Sequence, residues 1–201
     1  MIRVLLAEDQ GIVRGALAAL LSLEPDITVV AEVSRGDEVL AAAQETRPDV
    51  ALLDIEMPGL SGLEAAGLLH EKLPACRVLI LTTFGRPGYL RRAMDSGAVG
   101  FLVKDAPAHR LADAIRRAAA GERVVDPELA VAALSVGSNP LTDRERAVLR
   151  AAARGHRLAE IARSLHLSEG TVRNYLSAAI QKLDARNSKE ASFIAEQNGW
   201  L

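Results

Sequence analysis

Four short apolar runs in the first half of the chain each end on side chains that can handle an anion or a cation. Ile2–Ala7 runs into Glu8-Asp9, Val50–Leu53 into Asp54, Val78–Leu81 into Thr82-Thr83, and Gly100–Val103 into Lys104. Runs this short read as strands, because a helix needs more length to bury itself. If they lie side by side in an open parallel sheet, their carboxyl ends share one rim, where such sheets bind ligands. Three carboxylates, a hydroxyl and an ammonium then converge. The carboxylates repel one another, so a cation must offset them. Lys104 supplies one charge, and an oxygen-seeking Mg²⁺ supplies the rest. Such a set suits phosphoryl transfer, which asks for positioning and electrostatic stabilisation of the phosphoryl oxygens more than for covalent chemistry by the protein. Asp54 is the candidate nucleophile, giving an aspartyl-phosphate. Any one of these acids could merely cap a helix or face solvent. It is the whole set, on four separate strand ends, that points to a site.

The elements that must position these groups follow from the hydrophobic pattern. Val13, Ala16, Leu17, Leu20 and Leu21 fall on one helical face. Ile27–Val33 is β-branched and strand-like. Residues 37–46, 62–73 and 89–96 read as helices, and Leu111, Ala112, Ile115, Ala118 and Ala119 mark another helical stripe. Strand and helix signals alternating in this way imply βαβ units, hence a parallel sheet with helices on both faces. The nearly continuous apolar strands fit a sheet buried on both sides. His70 and His109 lie on helices without a partner at metal-ligand spacing, and Cys76 reads as a small core residue.

Past residue 120 the pattern breaks. Gly121, Pro127 and Gly137-Ser138-Asn139-Pro140 are turn and linker residues, with room for one short helix over Glu128–Leu134. We expect a first domain over residues 1–120, a linker over 121–138 and a second domain over 139–201. The second part reads as four helices. Thr142 and Glu145 match a capping box, and Gly155 ends that first helix. Leu158, Ile161, Ala162 and Leu165 form a short amphipathic helix. Ser168 caps the next one, with Leu167 and Val172 spaced as a hydrophobic staple, and Asn187 or Ser188 caps the last. Two helices joined by a tight turn at His166-Leu167 form a helix-turn-helix pattern. Opposite the apolar stripe lie Arg173, Asn174, Ser177 and Gln181. Arginine can read guanine and asparagine can read adenine, while Lys182 and Arg186 suit phosphates.

Composition fits this division. The chain has 201 residues, 49% hydrophobic and 25% charged, which supports a folded core. A single cysteine excludes an internal disulfide framework. No apolar run reaches the roughly 18 residues that span a bilayer. Met1-Ile2-Arg3 enters a strand directly rather than a cleavable signal. A cytoplasmic protein without membrane insertion is expected. Residues 1–137 hold 14 basic and 19 acidic groups, and residues 138–201 hold 10 basic and 7 acidic groups. An acidic first part joined to a basic second part suggests two jobs, one of them on nucleic acid.

Glu8-Asp9, Asp54-Ile55-Glu56-Met57-Pro58-Gly59, Leu81-Thr82 and Phe101-Leu102-Val103-Lys104 resemble the receiver domain of two-component response regulators. The resemblance implies a flavodoxin-like α/β fold with five parallel strands in the order 2-1-3-4-5. It implies that a sensor histidine kinase phosphorylates Asp54. Glu8, Asp9, Asp54 and the backbone carbonyl of Glu56 would hold Mg²⁺. Thr82 and Lys104 would engage the phosphoryl oxygens, and Phe101 would turn inward with Thr82. Asp105 stands where many receivers carry proline.

Leu141-Thr142-Asp143-Arg144-Glu145, Ile161-Ala162, Leu167-Ser168-Glu169-Gly170-Thr171-Val172-Arg173 and Lys182-Leu183 resemble the LuxR/NarL-type helix-turn-helix domain. Leu158-Ala159 departs from the polar residues usual there. The resemblance makes the helix from Glu169 the recognition helix, with Thr171, Arg173, Asn174, Ser177, Lys182 and Arg186 as DNA contacts. It implies promoter DNA, a second copy of the chain upon phosphorylation and RNA polymerase as partners. Within this class, residues 54–59 and 81–89 are most similar to regulators of membrane-lipid desaturase genes.

Two other functions fit parts of the pattern. An Mg²⁺-dependent phosphatase working through an aspartyl-phosphate would use Glu56, two residues after the nucleophile, as acid–base catalyst, but no lid is evident and the basic domain would then be idle. A phosphorelay adaptor that binds only proteins would need no base-reading side chains. Phe84, bulky and apolar, is expected to shield an aspartyl-phosphate from water and to slow its hydrolysis.

Overall fold

The computed structural model describes residues 1–83, 87–105, 107–126, 129–131 and 139–201. The chain forms two compact units, one of Met1–Gly85 and Leu90–Ala130, the other of Arg86–Tyr89 and Val131–Leu201.

The first unit alternates β1 (Ile2–Ala7), α1 (Gly11–Ser22), β2 (Ile27–Val33), α2 (Val39–Thr46), β3 (Val50–Asp54), α3 (Gly62–Lys72), β4 (Arg77–Thr82), α4 (Pro87–Asp95), β5 (Gly100–Val103), α5 (Ala108–Ala119) and β6 (Val124–Val125). All strands are parallel, in the order β2-β1-β3-β4-β5-β6. Successive side chains of a strand point to opposite faces. Val4, Leu6, Val50, Leu52, Leu79 and Leu81 therefore pack together against Leu111, Ala112, Ile115 and Ala118 of α5 and Leu21 of α1. Their alternates Leu5, Leu53 and Ile80 are equally buried on the other face, which α2 and α3 cover. Burial on both faces explains why these strands read as unbroken apolar runs.

Three features differ from the sequence expectation. Among the described residues the sheet has six strands rather than five, because Val124-Val125 pairs with Gly100-Phe101. Two residues carry no readable period, so this strand passed for linker. The first unit accordingly runs beyond residue 120. On α1, Leu21 is buried and Leu17 packs on the core, but Ala16 and Leu20 face solvent with Ile12. The short helix expected over 128–134 falls largely outside the described residues.

The second unit contains α6 (Asp143–Ala153), α7 (Leu158–Ser164), α8 (Glu169–Lys182) and α9 (Ser188–Gln197). Thr142 and Glu145 form the expected capping box on α6. Gly155 takes φ +82 just beyond α6, a conformation glycine adopts without strain. Ser168 caps α8 by accepting from Thr171 N, and Asn187 rather than Ser188 caps α9. Val148, Ile161, Ala162 and Val172 make one buried cluster, with Leu167 packed on it as the staple required. Leu149, Ala179, Leu183, Ala191 and Ala195 make a second. Among the described residues no helix is long and apolar enough to cross a membrane.

Candidate functional site: an acidic rim and a helix-turn-helix

Parallel pairing brings the strand ends to one rim. Asp54 stands opposite Leu81 on β4, one residue before Thr82, and Thr82 pairs with Val103 on β5. Lys104 N then donates to Thr82 O at 2.7 Å, so the sheet ladder itself sets Lys104 beside Thr82. Carboxylate oxygens of Glu8, Asp9 and Asp54 lie within 4.8 Å of one another. The Lys104 ammonium stands 2.6 Å from Glu8 Oε2 and 3.1 Å from Asp54 Oδ1. Glu8, Asp54 and Thr82 are buried, Lys104 is half-buried and Asp9 is exposed. Phe101 is fully buried on the strand that delivers Lys104.

This pocket is short of positive charge. Burial is the main reason the Asp54 carboxyl is pushed up to about 6; the Glu8 charge adds to it, and Lys104 opposes it. Burial also pulls the Lys104 ammonium down. The carboxylates of Glu8 and Asp54 outweigh that, so it ends above its ordinary value. Among the described residues, three clustered carboxylates share the Lys104 ammonium, a balance that a divalent cation would restore. Glu8 Oε2 is buried, with the Lys104 ammonium 2.6 Å away as its neighbour. An all-oxygen donor set of three carboxylates gathered within 4.8 Å of one another fits a hard cation such as Mg²⁺.

The loop after Asp54 is held by close backbone approaches that only glycine permits. A Cβ on Gly62 would fall 1.9 Å from Asp54 O, and one on Gly36 would fall 1.8 Å from Leu60 O. Gly62 N donates to Ile55 O, and Gly36 N to Pro58 O. Ser61 and Glu64 then start α3 with a capping box. The exposed side chain of Glu56 lies in this loop, two residues after Asp54. Sequence reasoning missed Gly36 and Gly62. Their signal is a glycine beside the nucleophile's loop where a side chain would otherwise be tolerated. Phe84 lies outside the described residues.

In the second unit, Arg173, Asn174 and Ser177 are exposed on α8. The Arg173 guanidinium touches Glu169 at only 3.4 Å. The other expected DNA contacts have partners within the fold. Thr171 Oγ1 sits 2.8 Å from the capping Ser168 Oγ. Lys182 Nζ donates to Glu145 Oε2 at 2.7 Å, and Arg186 grips Glu190 with two nitrogens. His166, at φ +55, makes the turn between α7 and α8.

Two family models match the chain: the response regulator receiver domain over residues 4–116, and the luxR family of bacterial regulatory proteins over residues 139–195. The chain is 50% identical over its full length to the uncharacterized transcriptional regulatory protein YvfU of Bacillus subtilis, covering all of it. It is 45% identical, again over the whole of both chains, to the transcriptional regulatory protein DesR of the same organism. Among solved structures it resembles the response regulator ChrA of a heme-sensing two-component system. There the identity is 35%, the TM-score 0.60, and 100% of this chain and 98% of that one are covered. The chain belongs to the two-component response regulators that join a receiver domain to a LuxR-type DNA-binding domain.

Proposed function

We propose that Asp54 is the phospho-acceptor, charged by a sensor histidine kinase, and that phosphorylation drives dimerisation and promoter binding. The observation that carries this is the buried Asp54 with Lys104 Nζ at 3.1 Å and the Glu8 and Asp9 carboxylates beside it. An Asp54 oxygen attacks phosphorus, the bond from phosphorus to the donor's imidazole nitrogen breaks, and an aspartyl-phosphate results. Glu8, Asp9, Asp54 and the Glu56 backbone carbonyl would hold Mg²⁺, which when bound neutralises charge on the phosphoryl oxygens. Lys104 pairs with one phosphoryl oxygen, and the Thr82 hydroxyl donates to another. Phe101, already buried, is the aromatic whose packing follows Thr82.

The new charge, about −2, biases the receiver between two states. A second copy is proposed to seat on a face built from α1 and α5, with Ile12 and Leu20 as exposed apolar positions on α1. Dimerisation sets two α8 helices for adjacent major grooves. Arg173, Asn174 and Ser177 read bases, while Thr171, Lys182 and Arg186 approach phosphates. RNA polymerase is the downstream partner and the cytoplasm the compartment. The protein is a regulator that assists its own phosphoryl transfer rather than an enzyme acting on other molecules. The Glu56 side chain is exposed on the loop after Asp54, and a phosphatase reading would leave the basic second unit idle.

Asp54→Ala tests the acceptor. Incubated with acetyl phosphate and Mg²⁺, the wild type is expected to gain one phosphoryl by intact mass and the variant none. Undiminished labelling of the variant would refute the assignment.

A further inference from the structure

We propose that Arg14 is a positioning residue for the cation site: its guanidinium fixes the peptide that presents Asp9. The inference rests on reading the acidic pocket as an Mg²⁺ site. Strand β1 pairs with its neighbours through Ala7. Glu8 N still donates to Val33 O at 3.1 Å, but the Glu8 carbonyl lies past the last paired residue. Arg14, from the first turn of α1, reaches back and donates from Nη1 to that carbonyl at 2.6 Å. Its Nε stands 3.8 Å from Glu32 Oε2 on β2. One guanidinium thus ties the turn after β1 to the neighbouring strand, at the peptide linking the two acids.

The two acids differ in how they are held. The Glu8 carboxylate is buried, accepts from Gln10 N at 3.2 Å and faces Lys104. Asp9 is exposed, and among the described residues no hydrogen bond or ion pair reaches its carboxylate. Its aim is therefore set by its backbone, and the Glu8–Asp9 peptide is the one Arg14 fixes. A hydrogen bond from a cation is short and strong enough for that purpose, and groups that orient ligands commonly matter to metal affinity.

The sign of the effect separates positioning from charge. A guanidinium near an incoming cation repels it, so on charge alone its loss would tighten Mg²⁺ binding. Positioning demands the reverse. The test is calorimetric titration of the full chain with Mg²⁺, with Asp9→Asn as the control that abolishes binding. Arg14→Met keeps the aliphatic stem and removes the donors, and it is expected to weaken Mg²⁺ about tenfold while the metal-free chain still melts cooperatively. Arg14→Lys, which keeps a donor and the charge, is expected to recover most of the loss. Should Arg14→Met fail to fold, Arg14→Gln, polar but too short to reach the carbonyl, gives the same reading. Affinity unchanged or tightened in the variant, beside a wild type that binds, overturns the role of Arg14. A wild type that binds no Mg²⁺ overturns the cation-site reading itself.

Discussion

Asp54 sits where its own charge is disfavoured, buried beside Glu8, with Lys104 opposing that effect. Replacing it by asparagine removes one of three mutually repelling carboxylates. In a chelator at neutral pH, Asp54→Asn should therefore stabilise the receiver by roughly 1–3 kcal/mol, the scale of a two-unit displacement of a carboxyl. Thermal melting checks this, and a destabilised Asp54→Asn would show that Lys104 already satisfies the pocket. At this scale the polar residues at strand ends were legible, because a strand that turns polar at its carboxyl end declares where the rim lies. Gly62, Gly36 and Arg14 were not. Each acts on a backbone atom of a distant residue, and no side-chain pattern records such a contact. Lys182 was legible as a cation but not as the partner of Glu145, since 37 residues separate them.

The elements were legible where caps and periodicity agree. Thr142, Ser168 and Asn187 each begin a helix by accepting the backbone N–H three residues on. The strand Val124-Val125 was too short to show. On α1 the apolar residues exceed what one buried stripe uses, so the period marked a face without saying which side meets the core. Two predictions belong here. Glu145 is buried, which by itself would raise its pKa, but hydrogen bonds from Lys182 and from Thr142 hold it below the ordinary range. A depressed carboxyl stabilises the fold above its unfolded value, about 4.3, and that stability is lost as pH falls through the lower folded value. Melting of the helix-turn-helix unit should thus weaken below about pH 4 in the wild type, and Glu145→Gln should flatten that slope. A slope unaltered in the variant would place the acid sensitivity elsewhere. On α1, Ile12→Asp and Leu20→Asp should abolish phosphorylation-dependent dimerisation while leaving labelling by acetyl phosphate and the melting temperature nearly unchanged, because exposed positions cost within about 0.5 kcal/mol. Sedimentation separates these outcomes, and a variant that still dimerises would move the interface off this helix.

For the molecule as a whole, the charge division read from the sequence matches a division of labour. On the proposed reading an acidic unit would collect a cation and a phosphoryl group, and a basic unit would meet a polyanion. The switch between them requires that a change at Asp54 alter what the whole chain does. Sedimentation velocity of the full chain with Mg²⁺, with and without beryllofluoride as a phosphoryl mimic, asks this directly. The wild type should pass from monomer to dimer only when both are present, and Asp54→Ala should remain monomeric throughout. A wild type indifferent to beryllofluoride, or an Asp54→Ala chain that dimerises with it, would contradict the account.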